Sequence, residues 1–135
     1  MAVLLGIDYG RARIGLAISR VSLAEPLLVI DNDLDPEQKQ AVIGPQAWQQ
    51  LLAVIKHEAV EQIVLGVSEQ HMAELSLALA ALLRKAQPVP VATADETLSS
   101  VEAKAKLQDL PAHKRQGPID HYAAAIILEN YLEVC

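Results

Sequence analysis

Phenylalanine is absent from this chain of 135 residues, tryptophan occurs once, at position 48, and aromatic residues make up 3% of the whole. The apolar residues are mainly Ala, Leu, Val and Ile, a supply that suits aliphatic packing of helices on a sheet. Cysteine also occurs once, as the last residue, Cys135, which excludes a disulfide framework and a thiolate metal site. No apolar run approaches the roughly 20 residues that span a bilayer. The N-terminus lacks a basic region followed by a signal-type core, so the expectation is a soluble, cytoplasmic protein. The length fits one domain over residues 1–135, long enough to bury a real core.

Positive charge is scarce as well: 11 Lys and Arg stand against 17 Asp and Glu, a formal net charge of −6. Phosphate affinity rests on basic side chains, so this balance argues at first against a nucleic-acid partner. The distribution argues differently. Seven of the 11 basic residues fall in two segments, Arg11, Arg13 and Arg20 in one and Lys104, Lys106, Lys114 and Arg115 in the other. Only Asp8 and Asp109 accompany them as acids, which leaves 4 basic against 15 acidic residues elsewhere. If the two segments meet in space, an acidic protein has one basic face.

The stretch around which the chain is organised is Leu4-Leu5-Gly6-Ile7-Asp8-Tyr9-Gly10-Arg11-Ala12-Arg13-Ile14-Gly15-Leu16-Ala17-Ile18-Ser19. An apolar run ends in a carboxylate, breaks at a Gly- and Arg-containing turn and resumes as a second apolar run, the pattern of a β-hairpin. A charge near the end of a core strand is costly unless it is paired or bound to a cation. Gly10 and Gly15 supply either backbone freedom or room for a close approach. Asp8 could equally start the turn, with the glycines serving its geometry.

Pro26–Ile30 reads as a third strand, followed by Asp31-Asn32-Asp33 and an acidic surface loop through Glu37 that lacks the spacing of a calcium loop. Trp48, Leu51, Leu52 and Ile55 recur at helical spacing, which predicts a helix from Pro45 to about Glu58 with Trp48 in or beside the core. Gln62–Val67 is a continuous apolar run of the kind covered on both faces. A helix over Ala73–Lys85 closes with Arg84 and Lys85, which suit its dipole. Val89–Ala94 predicts a fifth strand leading into Asp95-Glu96. Ser99 and Glu102 form a capping box for a helix to about Leu107; a loop through Pro111, His113, Gly117 and Pro118 follows, and a last helix runs from near Asp120 to about Glu133. The expected fold class is α/β, with a five-stranded mixed sheet flanked by helices. In such a sheet, sites collect at the carboxyl ends of the parallel strands.

Three acids then occupy special places: Asp8 ending the first strand, Glu96 just after the fifth, and Asp120 opening the last helix. Each has an ordinary role open to it, as turn residue, helix leader or N-cap. Jointly, the parallel arrangement brings them to one edge, where they would repel each other unless they held hard cations such as Mg²⁺ or Mn²⁺. Two such ions roughly 4 Å apart are the device of phosphodiester hydrolysis. The basic segments would then rim the site and hold phosphates.

The motifs Gly6-Ile7-Asp8-Tyr9-Gly10 with Arg13-Ile14-Gly15-Leu16-Ala17, Asp95-Glu96-Thr97-Leu98-Ser99-Ser100-Val101-Glu102-Ala103, and Ile119-Asp120-His121-Tyr122-Ala123-Ala124 with Ile126-Ile127-Leu128 closely resemble the YqgF/RuvX family. That family has a ribonuclease H-like fold and is described both as Holliday junction resolvases and as pre-16S rRNA nucleases. The resemblance covers nearly the whole chain, with order and spacing kept. It implies that Asp8, Glu96 and Asp120 are the catalytic, metal-binding acids, with Asp8 bridging two Mg²⁺ or Mn²⁺ ions. It further implies that Arg13, with Arg11, Lys114 and Arg115, contacts substrate phosphate. His121 reads as a helix-surface residue. The implied partner is structured RNA, alternatively branched DNA, and no membrane.

Two departures from the family pattern stand where substrate would be gripped. Thr97 replaces an Arg that usually follows the Asp-Glu pair, and Gly66-Val67-Ser68-Glu69-Gln70-His71-Met72 replaces a longer loop containing Asn-Met-Asp-Gly. They motivate a reading as a nucleic-acid-binding module that has lost catalysis. Junction resolution needs two symmetric cuts and hence a two-fold dimer, whereas the residues are compatible with a monomer or a homodimer. A third reading takes the hairpin as the phosphate loop of an actin-like or sugar-kinase ATPase; such enzymes need two related domains and a second glycine-rich motif, so 135 residues argue against it, and nucleotide binding without nuclease activity would revive it.

Overall fold

The computed structural model describes residues 2–20, 23–35, 37, 41–67, 71–95 and 120–134. Their order is β1 (Leu4–Asp8), β2 (Arg13–Ser19), β3 (Ala24–Asp31), α1 (Pro45–His57), β4 (Gln62–Val67), α2 (His71–Ala86), β5 (Val91–Asp95) and α3 (Asp120–Val134). The five strands make one sheet in the order β3-β2-β1-β4-β5. The hairpin pairs β1 with β2 antiparallel, and β2 pairs antiparallel with β3. The helical crossovers return the chain so that β1, β4 and β5 run parallel. This is the mixed, helix-flanked sheet that the pattern of the sequence predicts.

Alternation along the strands divides the core in two. Leu5, Ile7 and Tyr9 of the first hairpin arm, with Ile14, Leu16, Ile63, Leu65 and Val91, pack against Leu51 and Ile55 of α1 and Leu75, Leu79 and Leu83 of α2. Trp48 is half-buried against this cluster. Leu4, Ala17 and Val64 face the other way and meet Ala124, Ala125, Ile127 and Leu128 of α3. No described helix is long and apolar enough to cross a membrane.

Boundaries shift where local chemistry intervenes. The fifth strand begins at Val91, two residues later than the apolar run suggests. The Gln87 side chain accepts from Val89 N at 2.8 Å and donates to Val89 O at 3.1 Å, which occupies both backbone polar groups of Val89, while the Pro90 carbonyl accepts from Ile63 N of β4 at 2.9 Å. The third strand is longer than expected, starting at Ala24. Its Pro26 sits on an edge strand, where a missing N–H costs no ladder bond, and faces Ala17 beside a register shift. Helix α2 starts at His71, ahead of the expected Ala73. The helix expected over 99–107 and the loop after it lie outside the described residues.

Both ends of α1 are closed by identifiable bonds. At the start, the Asp33 carboxylate accepts from Gln46 N at 3.1 Å and Ala47 N at 2.8 Å, a cap supplied from the loop after β3. At the end, Val60 N bonds Ile55 O at 3.1 Å and Ala59 N bonds Lys56 O at 3.2 Å, the paired bonds of a Schellman motif. Ala59 occupies its left-handed position with φ 53°.

Candidate functional site

The direction of α3 decides which residues share an edge. A Cβ placed on Gly6 would lie 2.6 Å from Leu128 Cγ and 2.8 Å from the Ala124 carbonyl oxygen, so the helix rests directly on β1 at this glycine. Farther along the helix, the Tyr131 hydroxyl accepts from Gln62 Nε2 at 2.8 Å, and Gln62 is the rung paired with Leu4. Helix α3 therefore runs antiparallel to β1. Its first residue, Asp120, stands at the carboxyl end of that strand. Asp8 is two residues beyond Gly6, about 6.6 Å along the strand. Asp120 is four residues before Ala124, about 6 Å of helix rise. Both positions lie toward the carboxyl end of β1.

Asp8 is half-buried at this edge. The parallel registers Ile7 to Leu65 and Leu65 to Thr93 carry the ends of β4 and β5 to the same side. Glu96 follows Asp95, the last described residue of β5, and lies outside the described residues, as does the side chain of Asp120. Among the described residues, no group of three His, Cys, Asp or Glu could hold a metal ion.

The cations divide. Arg13 opens β2 as an exposed residue, two positions before Gly15, the rung opposite Asp8. Alternation therefore puts Arg13 and Asp8 on the same face of the sheet. Arg11 is half-buried and turns to the opposite side, donating from Nη1 to the Ala41 carbonyl at 3.3 Å. Arg20 leaves the expected basic face: it follows the far end of β2, about 23 Å from Arg13 by strand rise, and is ion-paired with Glu58. Lys104, Lys106, Lys114 and Arg115 are outside the described residues. His121 is half-buried rather than on the open surface, its ring centroid 4.4 Å from that of Tyr122.

Sequence reasoning missed the polar cluster behind the hairpin turn. Asn32, 8% exposed, donates from Nδ2 to Gly10 O at 3.1 Å and Val42 O at 3.3 Å, and its Oδ1 accepts from Gly44 N at 2.9 Å. The Tyr9 hydroxyl also donates to Val42 O. Burial pushes the Tyr9 phenol above its usual range, against the opposing pull of the Arg11 guanidinium and the Asn32 carboxamide. Asp33, bonded to the backbone of Ala47 and Gln46, is held below the usual carboxylate range. No local pattern announces Asn32, whose partners lie 10 to 22 residues away. As for the glycine of the turn, a Cβ on Gly10 would lie 2.5 Å from the Arg13 carbonyl oxygen, so the close approach it permits is by the chain's own backbone.

A sequence model of the RuvX family, described as Holliday junction resolvase, matches residues 2–134. The chain belongs to the RuvX family. A protein of Protochlamydia amoebophila is 34% identical over 140 residues, covering 96% of this chain and 92% of its own length. One from Halothermothrix orenii is 36% identical over 141 residues, covering 96% and 93%. Both bear the name "Putative pre-16S rRNA nuclease". Among solved structures, T. thermophilus RuvC in complex with a Holliday junction substrate superposes with TM-score 0.66 at 17% identity, covering 99% of this chain and 96% of RuvC. The fowlpox virus Holliday junction resolvase gives 0.62 at 10% identity, covering 98% and 99%. These likenesses place this RuvX protein in the ribonuclease H-like fold.

Proposed function

We propose that this RuvX protein is a divalent-metal-dependent endonuclease that hydrolyses phosphodiester bonds in structured nucleic acid, with an unprocessed end of the small-subunit ribosomal RNA precursor as substrate. The observation that supports the reading is the antiparallel passage of α3 over β1, which starts the helix toward the end of β1 that carries Asp8. Asp8, Glu96 and Asp120 offer oxygen donors only, and such a set fits hard cations of the Mg²⁺ and Mn²⁺ type. Bound there, such ions would supply an activated water and charge relief at the leaving oxygen. The chain contributes the rest. Asp8 presents its carboxylate from the central strand of the sheet, where flanking strands limit its movement. Asp120 opens a helix anchored on Gly6. Arg13, on the face of Asp8, holds a substrate phosphate, and Lys114 and Arg115 extend that contact. Arg11, turned to the opposite side toward the Ala41 carbonyl, is left out of that contact.

The names of the relatives support RNA as the substrate class; the family description favours branched DNA as the second reading. Purified protein incubated with Mg²⁺ or Mn²⁺ and either a labelled precursor rRNA end or a four-way DNA junction distinguishes them. The expected result is cleavage of the RNA that drops by about a hundredfold or more in Asp8→Asn, a loss of several kcal/mol at the transition state. Preferential cutting of the junction would replace the substrate. Folded protein that binds both nucleic acids and cuts neither would overturn the nuclease in favour of a binding module.

A further inference from the structure

The turn that follows Asp8 is held from behind by one buried side chain. Asn32 stands just past the end of β3, the edge strand, yet its carboxamide reaches across to the β1–β2 turn and to the segment leading into α1. Its Nδ2 bridges two backbone carbonyls, Gly10 at 3.1 Å and Val42 at 3.3 Å, while Oδ1 accepts from Gly44 N at 2.9 Å. Its own backbone N–H bonds the Ala12 carbonyl at 2.9 Å, on the other side of the same turn. The residue is thus bonded to the turn at Gly10 and at Ala12, and these two positions separate Asp8 from Arg13. Tyr9 and Arg11 add bonds to Val42 O and Ala41 O from within the turn.

We propose that Asn32 is a positioning residue for Asp8 and Arg13. Its carboxamide fixes the Gly10 carbonyl to the backbone before α1, and this sets the exit angle of the chain at the acid and its re-entry at the arginine. The inference rests on the reading of Asp8 as a metal-holding acid and adds a supporting residue that touches neither metal nor substrate. Its chemical requirement is specific: a planar amide with two N–H donors on one side and an acceptor on the other. Aspartate keeps the acceptor for Gly44 N but would set carboxylate oxygens against two carbonyl oxygens. Alanine removes all three side-chain bonds. The adjacent Asp33 provides the control, because its bonds go to the first turn of α1 and not to the hairpin turn.

The test compares Asn32→Ala, Asn32→Asp and Asp33→Ala with the unaltered protein, all below their melting temperatures. Mn²⁺ binding is measured by calorimetry, and the Mg²⁺ concentration for half-maximal cleavage is measured on the precursor rRNA end. Substituting a residue that orients a metal ligand typically weakens metal binding by about tenfold or more. Both Asn32 variants are expected to show such a shift in both readouts, and Asp33→Ala is expected to lower the melting temperature while leaving metal affinity in place. Wild-type affinity in Asn32→Asp, or an equal shift in Asp33→Ala, would overturn the proposal, the latter by showing that loop stability alone is being read. Unaltered protein that binds Mn²⁺ but cuts no substrate removes the nuclease reading and leaves the affinity series to decide the role of Asn32. Unaltered protein that binds no Mn²⁺ overturns both.

Discussion

Replacing Gly6 by alanine tests the contact that aligns the site. The added methyl would meet Leu128 Cγ at 2.6 Å and the Ala124 carbonyl oxygen at 2.8 Å, both well inside ordinary van der Waals separation. The leucine could change rotamer. The carbonyl belongs to the helix backbone and cannot, so α3 must retreat from β1 by a good fraction of an ångström. Overpacking of this kind costs about 1–3 kcal/mol. Alanine in a strand recovers about 0.5–1 kcal/mol of backbone entropy relative to glycine. The net expectation is a destabilisation of about 1–2 kcal/mol, or roughly 3–8 °C in melting temperature for a chain of this size. Chemical denaturation gives the free energy directly, and Leu128→Ala supplies the partner for a double-mutant cycle. Because the leucine side chain is one of the two clashing groups, the double variant should lose less than the sum of the single losses. Nuclease activity, measured in the folded Gly6→Ala protein, should fall as well, since the displaced helix carries Asp120. A variant as stable and as active as the parent, or strictly additive losses, would refute the idea that this contact sets the position of the helix.

Ala59 occupies the left-handed position that closes α1, where a side chain costs about 1 kcal/mol relative to glycine. Ala59→Gly should therefore raise the unfolding free energy by up to about that amount in urea denaturation. Asp33 has a folded-state pKa below its ordinary value. Its contribution is present above the unfolded carboxylate pKa of about 3.9 and is lost as pH falls through the lower, folded value. The melting temperature of Asp33→Ala should accordingly lie below that of the parent at neutral pH and converge with it in the acid range; a constant gap across pH would exclude the charged cap.

The sequence by itself determined the periodicities and the residues. The Leu4–Ser19 stretch dictates a hairpin because two apolar runs flank a Gly- and Arg-containing turn, and β1, β4 and the start of α1 fall where the pattern puts them. It also determined which acids invite a function, since a carboxylate ending a core strand is conspicuous without any partner in view. Strand ends were less legible: the Gln87 side chain occupies both backbone polar groups of Val89 through bonds that an apolar run does not reveal. What only the tertiary structure decided was adjacency. The antiparallel course of α3 depends on a bare glycine receiving a helix backbone more than a hundred residues later. The removal of Arg20 from the basic group depends on strand length and a distant glutamate. Asn32 sits in a stretch that reads as surface loop, and its burial arises from Gly10, Val42 and Gly44, which no local window contains together. Local pattern reports which face of an element is apolar; long-range hydrogen bonds and close backbone approaches report which elements meet, and these form only when the whole chain is packed.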